Sequence, residues 1–221
     1  MKKNKKIAVI LCGSGFKDGS EIRESVSVLL ALDQQGAKVK CFAPDEPQAD
    51  VVDCLSGQVM KSEKRNMIVE AARIARGEVY PLVELNVDDF DGVIIPGGFG
   101  VAKNLCNFAA KGTQAEVHHL LQTLLHKFHA QNKMIGAVCI APVILALAFK
   151  DKKFTMTLGP SSEASMALEK LGHHHKTASV TECVVDAKNK IITSPAYMID
   201  EAPLADIYKG IEALVKEVLK D

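Results

Sequence analysis

The sequence predicts an α/β protein built on a doubly wound, largely parallel sheet. Short apolar runs alternate along the chain with longer amphipathic runs, which is the pattern of buried strands joined by helices. Loops rich in glycine or containing proline follow several of the apolar runs, as expected where such strands end. With 221 residues and 48% hydrophobic content, we expect residues 1–221 to form one domain around one sizeable core.

The first half of the chain shows strand-like runs separated by helix-like ones. Residues 7–12 are apolar and meet a loop of turn-forming residues at 13–20. Ser20 is expected to cap a helix that runs to about Gln35 and stops at Gly36. The spacing along this helix predicts an inner face of Ile22, Val26, Leu29, Leu30 and Asp33. The elements that follow are a strand at 38–43, a hairpin or short helix at 51–57, a helix at 62–76 and a strand at 91–96.

The second half continues the alternation. Leucines at helical spacing predict a helix at 116–131, and Pro203 in a first turn predicts a closing helix that ends at Leu219. The other predicted elements are a strand at 154–158, a helix at 162–171, and a strand pair at 177–185 and 190–194 that turns at 186–190. The sheet is therefore predicted to be mostly parallel, with a small strand pair near the carboxyl terminus.

The chain is organised around a stretch in which one apolar run ends at Cys139 and another begins at once. Residues 134–138 predict a buried parallel strand, and residues 142–149 predict a buried helix with Pro142 in its first turn. Cys139 then sits on a sharp strand-to-helix turn, where the helix amino terminus favours a thiolate. The position indicates a nucleophile. The alternative is a small buried hydrophobic residue, as free cysteines often are.

Three loops are expected to meet beyond the carboxyl ends of the strands, at 13–20, 96–100 and 139–142. Gly97 and Gly98 directly follow a buried strand, so successive backbone amides there can hold a carbonyl oxygen as it gains negative charge. Glycines also serve ordinary turns, and this run does not match a dinucleotide or phosphate fingerprint. We therefore expect no cofactor.

Two carboxylates begin the first predicted helix. Glu21 and Glu24 are three residues apart, and either can exchange a proton with a nearby thiol if burial raises its pKa. The alternative is that they only favour the helix start, where negative charge is stabilising.

The other cysteines and the histidines offer weaker candidates. Six cysteines without a C-x-x-C spacing indicate reduced thiols and a cytoplasmic protein. Cys12, at the end of the first strand, is the candidate resolving thiol for an oxidised Cys139. His126 and His129 are spaced to face one ligand, but a third ligand is lacking nearby, so we expect a solvated helix face rather than a metal site. The run at 173–175 is interpreted as a polar loop.

Charge and hydropathy exclude several function classes. Lys plus Arg and Asp plus Glu both number 27, which gives no electrostatic case for nucleic acid or an anionic membrane. The basic start at 1–6 precedes too short an apolar run for a signal peptide and is interpreted as a lead-in to the first strand. The longest apolar stretch, 134–149, is shorter than the ~18 residues needed to span a bilayer.

Five segments resemble one known family, the PfpI and class I glutamine-amidotransferase-like superfamily, and within it the ElbB-type proteins, which are described as glyoxalases. They are DGSEIRE at 18–24, CFAP at 41–44, PGGFGVAKNL at 96–105, CIAP at 139–142 and TSPAYM at 193–198. The resemblance covers nearly the whole chain. It implies a flavodoxin-like three-layer sandwich, a homodimer, Cys139 as nucleophile, and the amides of Gly98 and Ile140 as an oxyanion site. The distance to the helix-ending Gly36 places the family's partner glutamate on Glu24 rather than Glu21.

Two departures from the family pattern narrow the activity. Ile140 stands where PfpI-type proteases carry a histidine, and the late histidine and glutamate of the amidotransferases have no counterpart, since the last histidine is His175. Peptidase and glutaminase activities are therefore disfavoured. A cysteine with a carboxyl partner suits addition to a reactive carbonyl followed by proton transfer.

The expected function is a glyoxalase that acts on a small dicarbonyl, glyoxal before methylglyoxal, without glutathione. In one alternative the protein is a redox-responsive or stress-responsive binding module whose Cys139 is oxidised instead of turning over substrate. In another, suggested by the family name, it is a structural partner of isoprenoid metabolism.

Overall fold

The computed structural model describes residues 4–220, and residues 1–3 of the predicted basic lead-in lie outside them. In the described part of the chain, the strands are β1 Lys6–Ile10, β2 Lys38–Ala43, β3 Val79–Pro81, β4 Gly92–Ile95, β5 Met134–Val138, β6 Thr155–Met156, β7 His174–His175, β8 Val184–Asp186 and β9 Ile191–Ser194. The α-helices are α1 Ile22–Gln34, α2 Met67–Ile74, α3 Phe99–Lys103, α4 Phe108–Lys111, α5 His119–Ala130, α6 Pro142–Ala148, α7 Glu163–Lys170 and α8 Leu204–Val218.

The central sheet has the strand order β3-β2-β1-β4-β5-β9-β8. Every neighbouring pair is parallel except β8 and β9, which are antiparallel at one edge. Side chains of β1 alternate between the two faces, so that Ile7 and Val9 belong to one buried cluster and Ala8 and Ile10 to the other. Helices α1 and α8 cover the first face, and α5 and α6 cover the second. The predicted mostly parallel, flavodoxin-like sandwich is confirmed.

Several predicted elements are confirmed at or near their bounds. Strands β2 and β5 coincide with the predicted strands at 38–43 and 134–138. The closing helix α8 buries the predicted face, which comprises Ile207, Ile211, Leu214, Val215 and Val218. At 51–57 the structure has the hairpin alternative, because Val52 forms an antiparallel bridge with Val59.

The start of α1 differs from the prediction. Ser20 is completely buried, and its hydroxyl accepts a hydrogen bond from the Cys12 amide at 2.9 Å, so it does not cap the helix. The cap is Glu21, whose carboxylate accepts from the Glu24 amide at 2.6 Å. The predicted inner face is also wrong: Ile22, Val26 and Leu30 are 46–48% exposed. The residues that α1 buries are Glu24, Ser25, Ser27, Val28, Ala31 and Leu32.

Two other predicted helices begin later than expected. Helix α2 starts after Asn66, because the Asn66 side chain accepts hydrogen bonds from the amides of Ile68 and Val69. Helix α5 starts after His118, because Val117 bridges to Cys106 in an extended conformation.

The predicted strand pair near the carboxyl terminus forms only in part. Strands β8 and β9 pair, but β8 is shorter than 177–185, because the Glu182 carboxylate accepts from the Ser179 amide and holds that segment in a turn. Residues His174–His175, interpreted as a polar loop, form β7 and pair in parallel with β6 in a separate two-stranded sheet.

No helix among residues 4–220 combines the length and the apolar character that crossing a bilayer requires.

Candidate active site

Four strands of the central sheet direct their carboxyl ends to one place. The loop after β1 leads to Glu24 on α1, β4 leads to Gly97, β5 to Cys139, and β9 to Tyr197. Strands β1, β4, β5 and β9 are consecutive in the sheet, so these four positions lie along one edge. Sites in doubly wound sheets form at this edge, and two of the four positions, Gly97 and Cys139, lie in the loops that the sequence predicted to meet.

Cys139 occupies the turn between β5 and α6 in a strained backbone conformation. Its φ is 59°, in the left-handed region that is uncommon for residues other than glycine, and its amide donates to the Ser194 carbonyl at 2.9 Å. The residue is 7% exposed, and the amides of Gly98 and Ile140 are near enough to lower the pKa of its thiol. The turn therefore points the sulfur at the two amides that were predicted to form the oxyanion site.

Glu24 is completely buried and lies beside Cys139: its Oε2 and the Cys139 Cβ are both within 2.5 Å of the position that a Cβ on Gly97 would take. Its Oε2 accepts from the Gly97 amide at 3.0 Å, and its Oε1 accepts from the Tyr197 amide at 3.2 Å. Glu21, the alternative partner, uses its carboxylate to cap α1. Of the two glutamates, the structure thus brings Glu24 to the cysteine.

The glycine pair after β4 lies where there is no room for a side chain. A Cβ on Gly97 would lie 2.4 Å from the Cys139 Cβ and 2.5 Å from Glu24 Oε2, between the two reactive groups. A Cβ on Gly98 would lie 2.4 Å from the Gly19 carbonyl oxygen, and its φ of 105° also favours glycine. These glycines let the loops after β1, β4 and β5 approach one another closely.

Burial controls the protonation of the pair. It raises the pKa of Glu24 to about 8, with a further contribution from the charge of Glu21, while hydrogen bonds from Cys139, Tyr197 and Gly97 oppose the shift. Burial, followed by the charge of Glu24, also raises the pKa of the Cys139 thiol well above its usual value, against the lowering effect of the two amides. The expectation that the helix amino terminus makes Cys139 a thiolate is therefore wrong: desolvation outweighs it.

Cys139 opens onto a cavity of about 1200 Å³. On the Cys139 side, its wall includes Ile140, Arg23 and Tyr197, whose hydroxyl accepts a hydrogen bond from the Arg23 guanidinium at 3.0 Å. Farther away, the wall is formed by Phe99, Phe108 and one face of α7. The Cys139 thiol, with Glu24 beside it, thus adjoins a space large enough for a small molecule.

The remaining candidates lie elsewhere. Cys12 is completely buried in the cluster on the other face of the sheet from that of Cys139, and burial raises its pKa to about 12. This placement argues against a resolving role. His126 and His129 both pack against the Phe149 ring, at centroid distances of 4.5 and 5.1 Å. Across residues 4–220, no three His, Cys, Asp or Glu side chains are grouped so that they could hold a metal ion.

Sequence reasoning missed the contribution of the segment after β9. Ala196 has a φ of 43°, and the turn at this residue aims the Tyr197 amide at Glu24. The segment TSPAYM contributes to the family resemblance, but no role was predicted for it. Its position could have indicated a role, because the segment continues from a predicted strand whose carboxyl end reaches the same sheet edge.

A family model described as the DJ-1/PfpI family matches residues 5–201. A protein of Rattus norvegicus named "ES1 protein homolog, mitochondrial" is 41% identical over 97% of this chain and 83% of its own. The Homo sapiens "Glutamine amidotransferase-like class 1 domain-containing protein 3, mitochondrial" is 40% identical over 97% of this chain and 82% of its own length. The crystal structure of an isoprenoid biosynthesis protein with an amidotransferase-like domain from Ehrlichia chaffeensis is 37% identical, with a TM-score of 0.90, over 97% of this chain and 98% of that one. The chain therefore belongs to the DJ-1/PfpI family.

Proposed function

We propose that this protein is a glyoxalase-like enzyme that converts a small dicarbonyl, such as glyoxal or methylglyoxal, to a hydroxy acid without glutathione or another cofactor. The observation that carries the proposal is the close approach of the buried Glu24 carboxyl to Cys139, at the wall of a cavity. This pair combines a nucleophile with a group that can both give and take a proton.

The reaction begins with addition of the thiol to one aldehyde. The bond between Cys139 Sγ and the carbonyl carbon forms, the carbonyl π bond breaks, and the thiol proton reaches the carbonyl oxygen through the Glu24 carboxyl. The product of this step is a hemithioacetal. The amides of Gly98 and Ile140, which lower the pKa of the thiol in the free protein, are placed to stabilise the oxygen while it carries negative charge.

Glu24 then moves a proton between neighbouring carbons. It removes the proton from the carbon bonded to sulfur and protonates the adjacent carbon, while the hydroxyl proton of the first oxygen passes to the second. The hemithioacetal becomes a thioester of the hydroxy acid. Water adds to the thioester, the bond from carbon to sulfur breaks, and the thiol regains its proton. In sum, glyoxal and water give glycolic acid, and the protein is unchanged.

The protonation of Glu24 suits both halves of this cycle. A carboxyl with a pKa of about 8 is mostly protonated at neutral pH and still ionises readily. Its ionised form takes the thiol proton and passes it to the carbonyl oxygen in the addition. The carboxylate is then ionised again, and it is a stronger base than an ordinary carboxylate for the proton transfer between carbons.

The test is turnover of glyoxal, followed as glycolate formation, by wild type and three variants. Cys139→Ala should abolish turnover, and Glu24→Gln should lower kcat by roughly 10²- to 10⁴-fold, the usual contribution of a positioned acid or base. Cys54→Ala is the matched control, because this cysteine is exposed and outside the site. Unchanged turnover in Cys139→Ala would rule the mechanism out.

A second candidate function is redox sensing through Cys139. The amides of Gly98 and Ile140 and a protonated Glu24 are placed to hydrogen-bond the oxygens of a sulfinate on this sulfur. Mass spectrometry after mild peroxide treatment distinguishes the two functions. Stoichiometric oxidation of Cys139 without dicarbonyl turnover would favour the sensor over the enzyme.

We also propose that the protein is a homodimer of the ElbB-type group. The apolar stripe on α1, formed by Ile22, Val26 and Leu30, faces outward, and a second copy would cover it. The name of the Ehrlichia protein supports the group and a link to isoprenoid biosynthesis. Six free cysteines support a reducing compartment such as the cytoplasm, whereas two relatives carry mitochondrial in their names.

A further inference from the structure

The cavity beside Cys139 is much larger than a two-carbon dicarbonyl. Its volume of about 1200 Å³ exceeds the roughly 300–1,000 Å³ typical of pockets that bury a drug-sized ligand. Glyoxal has four non-hydrogen atoms and would occupy a small part of this space next to the sulfur. The rest of the cavity needs another explanation.

The cavity has an apolar part, the trough, to which two phenylalanines and helix α7 contribute. The Phe99 and Phe108 side chains line it, and Phe99 is 56% exposed although it is a large aromatic side chain. Helix α7 lines it with Ala164 and Ala167, whose short side chains leave room, and with the polar Glu163 and Lys170. Apolar and aromatic lining with a few polar groups is typical of small-molecule sites.

The trough is continuous with the reactive end of the cavity. Phe99 directly follows Gly98, whose amide lowers the pKa of Cys139, so the aromatic lining starts one residue from the proposed oxyanion site. Ile140, next to Cys139 in the chain, and Met198 line the same cavity and add apolar surface to it. A carbonyl placed at the sulfur would therefore direct a substituent along Phe99 toward α7.

We propose that the preferred substrates are 2-oxoaldehydes with an apolar substituent of several carbons, whose aldehyde end reacts at Cys139 and whose chain lies between the phenylalanine rings and α7. This inference rests on the proposed glyoxalase function and specifies its substrate class. Each buried methylene adds favourable transfer free energy, so kcat/KM should rise with chain length until the trough is filled.

The experiment compares kcat/KM for glyoxal and for 2-oxooctanal, whose six-carbon chain extends beyond the dicarbonyl. The wild type should prefer 2-oxooctanal by at least about tenfold, since one methylene alone can be worth that much in a fitted pocket. Ala167→Leu, which keeps good helix propensity, should reduce this ratio by about tenfold by occupying the trough. Met166→Leu is the matched control, because Met166 is 50% exposed and does not line the cavity. Ala164→Leu provides an independent second obstruction should Ala167→Leu not fold.

The outcomes separate this inference from the proposed function. Two results would overturn the apolar-chain site while leaving the proposed glyoxalase function intact. One is equal kcat/KM for glyoxal and 2-oxooctanal. The other is a ratio of the two kcat/KM values that neither Ala167→Leu nor Ala164→Leu changes. If neither substrate is turned over, the proposed function fails, and binding of unreactive 2-octanone, followed by NMR shifts of the Phe99 and Ala167 amides, decides the inference. Saturable shifts that Ala164→Leu abolishes support an apolar-chain site, and their absence in the wild type overturns it.

Discussion

Glu24 and Cys139 lie side by side inside the protein, although one lies on the first helix and the other follows the fifth strand. Both side chains are buried, and each ionised form raises the cost of ionising the other. The two groups therefore release their protons in two linked steps, and near neutral pH the pair carries at most one negative charge. This coupling governs the stability of the protein, the reactivity of the thiol and the proposed proton transfers.

Stability should fall with rising pH because of Glu24. The pKa of this carboxyl is raised from 4.5 to about 8 in the folded protein, so the folded state holds the proton more tightly than the unfolded state. The stabilising contribution is complete below pH 4.5 and is lost as pH rises through 8. Relative to Glu24→Gln, the wild type should lose about 2–5 kcal/mol of unfolding free energy between pH 5 and 9. Urea unfolding at both pH values measures the difference, and parallel pH dependence in the two proteins would contradict it.

Gly97→Ala should separate the reactive pair. The added Cβ would lie 2.4 Å from the Cys139 Cβ and 2.5 Å from Glu24 Oε2, so one of these groups must move. We expect turnover to drop by at least about 100-fold, because a displacement of about 1 Å is sufficient for such a loss. Gly136→Ala is the control: it also adds a methyl group in the core, 3.1 Å from the Ile94 and Leu214 side chains, but away from the site. Gly136→Ala should lower the free energy of unfolding but leave kcat unchanged. Equal losses of kcat in Gly97→Ala and Gly136→Ala would indicate a general folding effect instead.

Alkylation rates should report the coupling between Glu24 and Cys139. Above pH 8, ionised Glu24 opposes formation of the Cys139 thiolate, and this opposition is absent in Glu24→Gln. At pH 9 we therefore expect iodoacetamide to modify Cys139 severalfold faster in Glu24→Gln than in the wild type, although the variant is the slower glyoxalase. Peptide mass spectrometry follows each cysteine separately, with exposed Cys54 as the internal reference. A slower reaction of Cys139 in the variant would show that Glu24 assists ionisation at that pH.

The outward stripe on α1 should hold two copies together. Val26 lies in the middle of this stripe and is about half exposed, so Val26→Lys would place a charge within the proposed interface. We expect a dimer in sedimentation equilibrium for the wild type and a monomer for Val26→Lys. Val69→Lys changes an exposed valine on α2 and should leave the dimer intact. A wild type that sediments as a monomer at micromolar concentration would refute the proposed homodimer.

Elements with strong local signals were predictable. Strands β2 and β5 and helix α8 follow from apolar runs and helical spacing, and Pro142 marks the start of α6. The missed elements lack such signals. Strand β3 has three residues and ends in proline, and β7 consists of His174 and His175, whose strand conformation comes from pairing with β6.

Helix α1 shows where sequence periodicity misleads. Its most regular apolar spacing, Ile22, Val26 and Leu30, points away from the core, and the buried face contains Glu24 and small residues instead. A pattern of this kind reports that one face is apolar, but it does not say whether the core or another molecule covers that face.

By itself the sequence determined the alternation of strands and helices, the location of Cys139 where a buried strand turns into a helix, and the glycines that let neighbouring loops approach. The residues alone left both Glu21 and Glu24 open as the cysteine's partner, and the family resemblance favoured Glu24. The tertiary structure places Glu24 beside Cys139, because this depends on how α1 is rotated against the sheet. It also decided that both groups are held protonated more strongly than usual, because desolvation is set by everything packed around them and not by their neighbours in the chain.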